Sequence, residues 1–141
     1  MVLKAEPDLV VLAGWLHIFG DGFLDIMNRP TEPEQQPIPV INLHPALPGA
    51  FDGANAIGRA YEAFQKGEIT RSGAMVHRVV KEVDRGKPVV VKEVPLEKGE
   101  TIEAFQKRLH EVEWEIIVLA TAKVLEEIAP VQVSNDMFIL K

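Results

Sequence analysis

The chain has 141 residues, a length that suits one compact domain, and its 15 basic and 21 acidic side chains give a net charge of -6. That balance argues against a general nucleic-acid binder, which needs a clustered basic surface to neutralise phosphates. With 47% apolar and 26% charged residues the composition is that of a folded globular protein, and the absence of cysteine excludes disulfides, thiolate metal sites and a cysteine nucleophile.

The early apolar run Leu9–Ala13 is far short of the roughly 20 residues that span a bilayer. Glu6 and Asp8 stand where a secretory leader would be basic, so a soluble cytoplasmic protein without a membrane partner is expected. Pro7–Trp15 is predicted to be a buried strand, because continuous apolar runs suit parallel strands covered on both faces. Gly22–Met27 is predicted to be a short helix. The segment Asn28–Pro39, with Pro30, Pro33, Pro37 and Pro39, reads as an exposed loop, since proline removes a backbone donor and fixes φ. Pro39–His44 is predicted to be a strand that runs into a turn-rich stretch at Pro45, Pro48 and Gly49. Ala54–Gln65 is a predicted helix with Ala56, Ile57, Ala60 and Phe64 on one side, stopped by Gly67. Ser72–Val80 and Pro88–Val94 are predicted to be strands, joined so closely that a hairpin or a neighbouring pair is expected. Thr101–Ile128 is the longest predicted helix, with Thr101 as N-cap and an apolar stripe of Ile102, Phe105, Leu109, Val112, Ile116, Leu119, Ala120 and Val124. Alternating strands and helices place the fold in the α/β class, with a mostly parallel sheet flanked by helices. No G-x-G-x-x-G or P-loop opens it, so the sheet is expected to lack strands that a complete doubly wound domain has.

The strongest local chemical signal is Asn42-Leu43-His44-Pro45. Residues i and i+2 of a strand share a face, so an amide and an imidazole stand side by side, and Pro45 favours an extended His44. The plainer alternative is that Asn42 caps the following turn and His44 is a satisfied polar residue. The second signal is His77 in an apolar strand, followed by Asp84-Arg85-Gly86. A surface turn accounts for Asp84 alone, and His77 reads as a residue that positions a loop. His44, His77 and Asp84 form a conceivable two-histidine, one-carboxylate metal set, but nothing in their spacing demands it, and a metal-free site is expected.

Taken together, Asn42-Leu43-His44-Pro45-Ala46-Leu47-Pro48-Gly49, Gly73-Ala74-Met75-Val76-His77 and Glu82-Val83-Asp84-Arg85-Gly86 resemble the glycinamide ribonucleotide formyltransferases of purine biosynthesis. The stretch Ala46–Gly53 looks most like the monofunctional fungal form. The resemblance runs from about Pro7 to about Ile128. It implies a Rossmann-like formyltransferase domain over residues 1–141, corresponding to the C-terminal two-thirds of the family domain, without the N-terminal segment that cradles the substrate phosphate. The chain alone is therefore expected to be weakly active or inactive.

The resemblance also implies the site. Asn42, His44 and Asp84 take the catalytic positions, while Leu16, His17, Ile18 and Phe19 together with Val80, Lys81 and Val83 take the folate positions. Glu113 takes the position that holds the nucleotide ribose, and His77, Pro45, Pro48 and Gly86 lie near the site in structural roles. Trp114 stands where many members have histidine. The substrates would be glycinamide ribonucleotide and 10-formyltetrahydrofolate, the latter as cosubstrate, with no metal. The reaction requires donors where an oxyanion develops. Asn42 and a protonated His44 are expected to supply them, with Asp84 favouring the imidazolium and relaying a proton. Open alternatives are a formyltetrahydrofolate hydrolase, a methionyl-tRNA formyltransferase, against which the charge argues, and a non-catalytic folate-binding remnant.

Overall fold

A computed structural model describes residues 2–14, 20–28, 36–81 and 83–129. A short 3-10 turn, Val2–Ala5, precedes strand β1 (Val10–Leu12), helix α1 (Asp21–Asn28), strand β2 (Val40–His44) and helix α2 (Ala56–Gln65). Strands β3 (Arg71–Arg78) and β4 (Pro88–Pro95) follow, then helix α3 (Ile102–Ile128), the last element among the described residues. The four strands form one sheet in the order β1-β2-β3-β4. Among the described residues no helix is long and apolar enough to cross a membrane.

The class is α/β with flanking helices, but the sheet is mixed rather than mostly parallel. Among the described residues β1 and β2 run parallel, whereas β2/β3 and β3/β4 are antiparallel. The cause of the misreading is physical. Ser72 to His77 of β3 are all buried, so the strand is apolar on both faces whichever way its neighbours run. Continuous apolar runs report coverage by helices, not strand direction. The expected pairing of β3 with β4 is present. The first strand is shorter than expected, Val10–Leu12. Trp15 and residues 29–35 of the proline-rich loop lie outside the described residues.

Strand alternation divides the core in two. Ile41, Ala74, Val76 and Val94 face α3 and pack on Phe105, Leu109, Ile116, Ala120 and Val124. Val40, with Leu12 and Met27, packs on the other side with Phe23 and Val79. The α3 stripe is as expected except at Leu119, which is exposed, while the carboxylate residue Glu113 occupies a buried position of that face. Thr101 caps α3 by accepting from the Ala104 N–H at 3.2 Å. Helix α2 begins later than expected, because Asn55 sits in the left-handed region with φ of 54° and cannot join the helix. No peptide bond among the described residues is cis, so Leu47–Pro48 is trans.

Candidate active site

A cavity of about 500 Å³ lies beside β2, with one wall from β1 and α1, another from the 77–84 segment, and a third from α3. Asn42 and His44 both reach it, as their shared strand face requires. His77 joins them because the β2/β3 register sets it directly opposite Asn42. Its Nε2 lies 3.3 Å from Asn42 Nδ2 and 3.2 Å from Asp84 Oδ1. Asp84 returns to the site from the turn after β3. Its other oxygen accepts the Gly53 N–H at 2.8 Å and stands 3.5 Å from His44 Nδ1. Among the described residues no group of three or more His, Cys, Asp or Glu is arranged to hold a metal ion.

The loops that deliver these groups are held in uncommon backbone conformations. Phe51, Asn55 and Asp84 have φ of 49°, 54° and 56°. Each left-handed non-glycine residue costs on the order of 1–3 kcal/mol and persists only where surrounding contacts over-determine it. Here those contacts are the ones that build the site.

Hydrogen-bond logic assigns the imidazoles. His77 Nδ1 lies 2.9 Å from the Arg78 carbonyl, and so it is a donor. His77 Nε2 then either accepts from an amide N–H or, in the imidazolium, donates to Asp84. As placed, Asn42 Oδ1 is buried without a partner. In the neutral His77 ring Nε2 accepts from the Asn42 amide, and the second hydrogen of that NH₂ remains to donate. His44 Nε2 lies 3.1 Å from the Phe51 carbonyl, so it too is a donor. Nδ1 is the remaining titrating nitrogen.

Burial is the largest influence on His44 and carries its pKa below the ordinary 6.5, although Asp84, the Phe51 carbonyl and Asp52 oppose it. Burial thus opposes the protonated His44 that the reaction calls for, and Asp84 favours it. With a depressed folded pKa, this group's contribution to stability is full above 6.5 and is lost as pH falls through the folded value.

The residues expected at the folate side divide. Val80, Lys81 and Val83 line the cavity, and Lys81 Nζ faces Asp21 and Asp25 of α1, each at 3.9 Å. Leu16, His17, Ile18 and Phe19 lie outside the described residues, as does Glu82. Pro45 lines the cavity, and Pro48 does not. Glu113 is buried against the cavity, while Trp114, 69% exposed, borders an outer groove of α3 instead.

Sequence reasoning missed His110 and Gln106, which also line the cavity. Their signal was available, because His110 lies one helical turn before Glu113 and shares its face. His110 Nε2 is 3.5 Å from Glu113 Oε2. Burial pushes the Glu113 carboxyl above its ordinary 4.5, and His110 offsets part of this. A raised folded pKa means that Glu113 supports stability below 4.5 and that this support is lost as pH rises through the folded value. Glu113→Gln should therefore raise Tm at pH 7 by about 2–4 °C for roughly 1 kcal/mol of relieved desolvation, with no gain in acid. Thermal melts at both pH values check this, and an equal gain at both would contradict it.

The fold and the cavity together define an α/β protein that brings the Asn42 amide, three imidazoles and two carboxylates to one cavity. The chain belongs to the formyl transferase family, whose pattern matches residues 1–121. It is 46% identical over 126 residues to the phosphoribosylglycinamide formyltransferase of Schizosaccharomyces pombe, covering 89% of this chain and 58% of that protein. It is 43% identical over 131 residues to the Saccharomyces cerevisiae enzyme of the same name, covering 91% and 58%. Among solved structures, the phosphoribosylglycinamide formyltransferase of Streptococcus pneumoniae TIGR4 superposes with a TM-score of 0.74 at 29% identity, covering 88% of this chain and 62% of that one. The chain thus spans somewhat over half the length of these relatives.

Proposed function

We propose that this chain carries the catalytic and folate-binding part of a phosphoribosylglycinamide formyltransferase, which moves a formyl group from N10 of 10-formyltetrahydrofolate to the amine of glycinamide ribonucleotide. The observation that carries the reading is the convergence of Asn42, His44 and Asp84, from separate segments, on one cavity. The apolar side of that cavity, Leu12, Leu24, Val79 and Val83, suits a flat heteroaromatic ring, and Glu113 with His110 offers a carboxylate and an imidazole to ribose hydroxyls.

In this mechanism the substrate amine attacks the formyl carbon, forming a C–N bond and placing negative charge on the former carbonyl oxygen. The Asn42 NH₂ and the His44 Nδ1–H donate to that oxygen, which makes protonation of His44 part of the catalytic step. Asp84, beside Nδ1, holds the transient imidazolium and accepts the proton the amine sheds, directly or through water. That proton passes on to N10, directly or through water, and the oxyanion collapses to re-form the carbonyl as the C–N10 bond breaks, giving formylated nucleotide and tetrahydrofolate. Formyl folate is a cosubstrate here, and the mechanism routes no step through a metal.

The test is a paired assay of the chain with formyl folate, with and without nucleotide. Nucleotide-dependent formyl transfer is expected. Formate release without nucleotide would point to a hydrolase. Stabilisation by folate with no turnover of either kind would point to a binding remnant.

A further inference from the structure

Arg59 projects from α2 into the loop that follows β2. Its Nη2 donates to the Phe51 carbonyl at 2.8 Å and to the Asp52 carbonyl at 2.6 Å, and its guanidinium carbon lies 5.9 Å from the centre of the Phe51 ring. The Asp52 side chain is engaged elsewhere, with Arg85 Nε at 2.6 Å. Arg59 therefore binds main chain through one nitrogen and lies over an aromatic ring, a contact the guanidinium plane favours. Its Nε is buried with no hydrogen-bond partner, so the group tolerates an unsatisfied donor in order to hold this loop. The Phe51 carbonyl it binds is the same one that meets His44 Nε2 at 3.1 Å. Phe51 itself is left-handed, a conformation the loop keeps only under constraint.

We propose that Arg59 is a positioning residue for His44: by fixing the Phe51 carbonyl it dictates that the neutral ring carries its proton on Nε2 and leaves Nδ1 to be protonated between Asp84 and the substrate. The consequence rests on the formyl-transfer reading, but the tautomer does not. A neutral His44 with its proton on Nδ1 would instead donate to Asp84. That would satisfy the carboxylate before any substrate arrives and leave no vacant site for the proton the reaction needs. The groups facing the ring are Asp84 and His77 on one side and Asp52 with the Phe51 carbonyl on the other. Of these, the carbonyl is the acceptor that selects Nε2.

The experiment is ¹⁵N NMR of the His44 ring in the whole chain, wild type against Arg59→Met, at mildly alkaline pH where the ring is neutral. The wild type should show well-separated nitrogen shifts with the proton on Nε2. Arg59→Met should move the proton towards Nδ1 and lower kcat by roughly 10- to 100-fold, with KM for formyl folate changed by no more than about twofold. A folded Arg59→Met chain that keeps the Nε2–H tautomer overturns the proposal. Should that variant not fold, Arg59→Lys serves. The lysine nitrogen falls one bond short of the Nη2 position that serves both carbonyls, so the same proton shift is expected to a smaller extent, and a wild-type tautomer there also overturns it. A tautomer shift in a chain whose wild type shows no formyl transfer would instead sink the functional reading and leave the positioning role standing.

Discussion

Asp84→Asn should lower kcat for formyl transfer by about 10³-fold while leaving Tm and folate affinity close to wild type. The structure explains why the two readouts separate. The substitution keeps the shape of the side chain, and the new amide oxygen still accepts the Gly53 N–H that Asp84 Oδ2 accepts at 2.8 Å. The new NH₂ can donate to His77 Nε2, which lies 3.2 Å from Asp84 Oδ1. The left-handed φ of 56° at this position is one that asparagine adopts with little strain. What is lost is charge. Asp84 is the largest of the influences that raise the His44 pKa, so its removal leaves burial less opposed and carries that pKa further below 6.5. The imidazolium needed at the oxyanion becomes harder to form, and the acceptor for the amine's proton is gone. The remaining activity should rise towards acid pH, where His44 can still be charged. Stopped assays across pH with a parallel melt check this. Near-wild-type kcat, or a large fall in Tm, would remove Asp84 from the role assigned to it. His44→Ala tests the same step less cleanly, because it also empties buried volume beside β2.

The elements were largely legible because periodicity reports burial, and burial is what each of these segments achieves. The i, i+2 pairing of Asn42 with His44 was legible for the same reason. The contact of Asn42 with His77 was not, since it depends on the β2/β3 register, and a one-residue slip would turn His77 to the other face. Strand direction was misread because a strand covered on both sides has the same composition in either orientation. The carboxylate beside His44 is visible in a family pattern, whereas the burial that opposes its protonation becomes visible only in the fold. Glu113 stands between Leu109 and Ile116 on the buried face of α3. A carboxylate interrupting an apolar stripe is an anomaly that composition alone can flag, and here it marks the cavity. Arg59 gave no such mark, because its partners are main-chain carbonyls that any sequence possesses.

Gly86→Ala should cost both stability and activity, in contrast to Asp84→Asn. Gly86 is buried, and a Cβ built on it would overlap the Arg78 carbonyl oxygen and press on its carbon, both main-chain atoms. The requirement for glycine is therefore one of space, since Gly86 is not in the left-handed region. Arg78 is poorly placed to give way. Its carbonyl meets His77 Nδ1 at 2.9 Å, its N–H donates to the Lys87 carbonyl at 2.9 Å, and the next residue bonds across to Val40 at 2.9 Å. The turn at 83–86 is the softer partner, so it should move outward, taking Asp84 with it. A shift of about 1 Å is enough to break the hydrogen bonds of Asp84 with Gly53 and His77 and to cost about 10²-fold in rate. Forcing a methyl into this closed space should destabilise the chain by roughly 1–3 kcal/mol. Gly22→Ala is the internal control. Gly22 lies in α1 with nothing within 4 Å of a built Cβ, so the helix should gain about 0.5–1 kcal/mol from the substitution. Denaturant titration of both variants, with kcat measured alongside, reads the comparison. If Gly86→Ala melts and turns over like Gly22→Ala, then the return of the chain past Arg78 is not what holds Asp84 at the imidazoles.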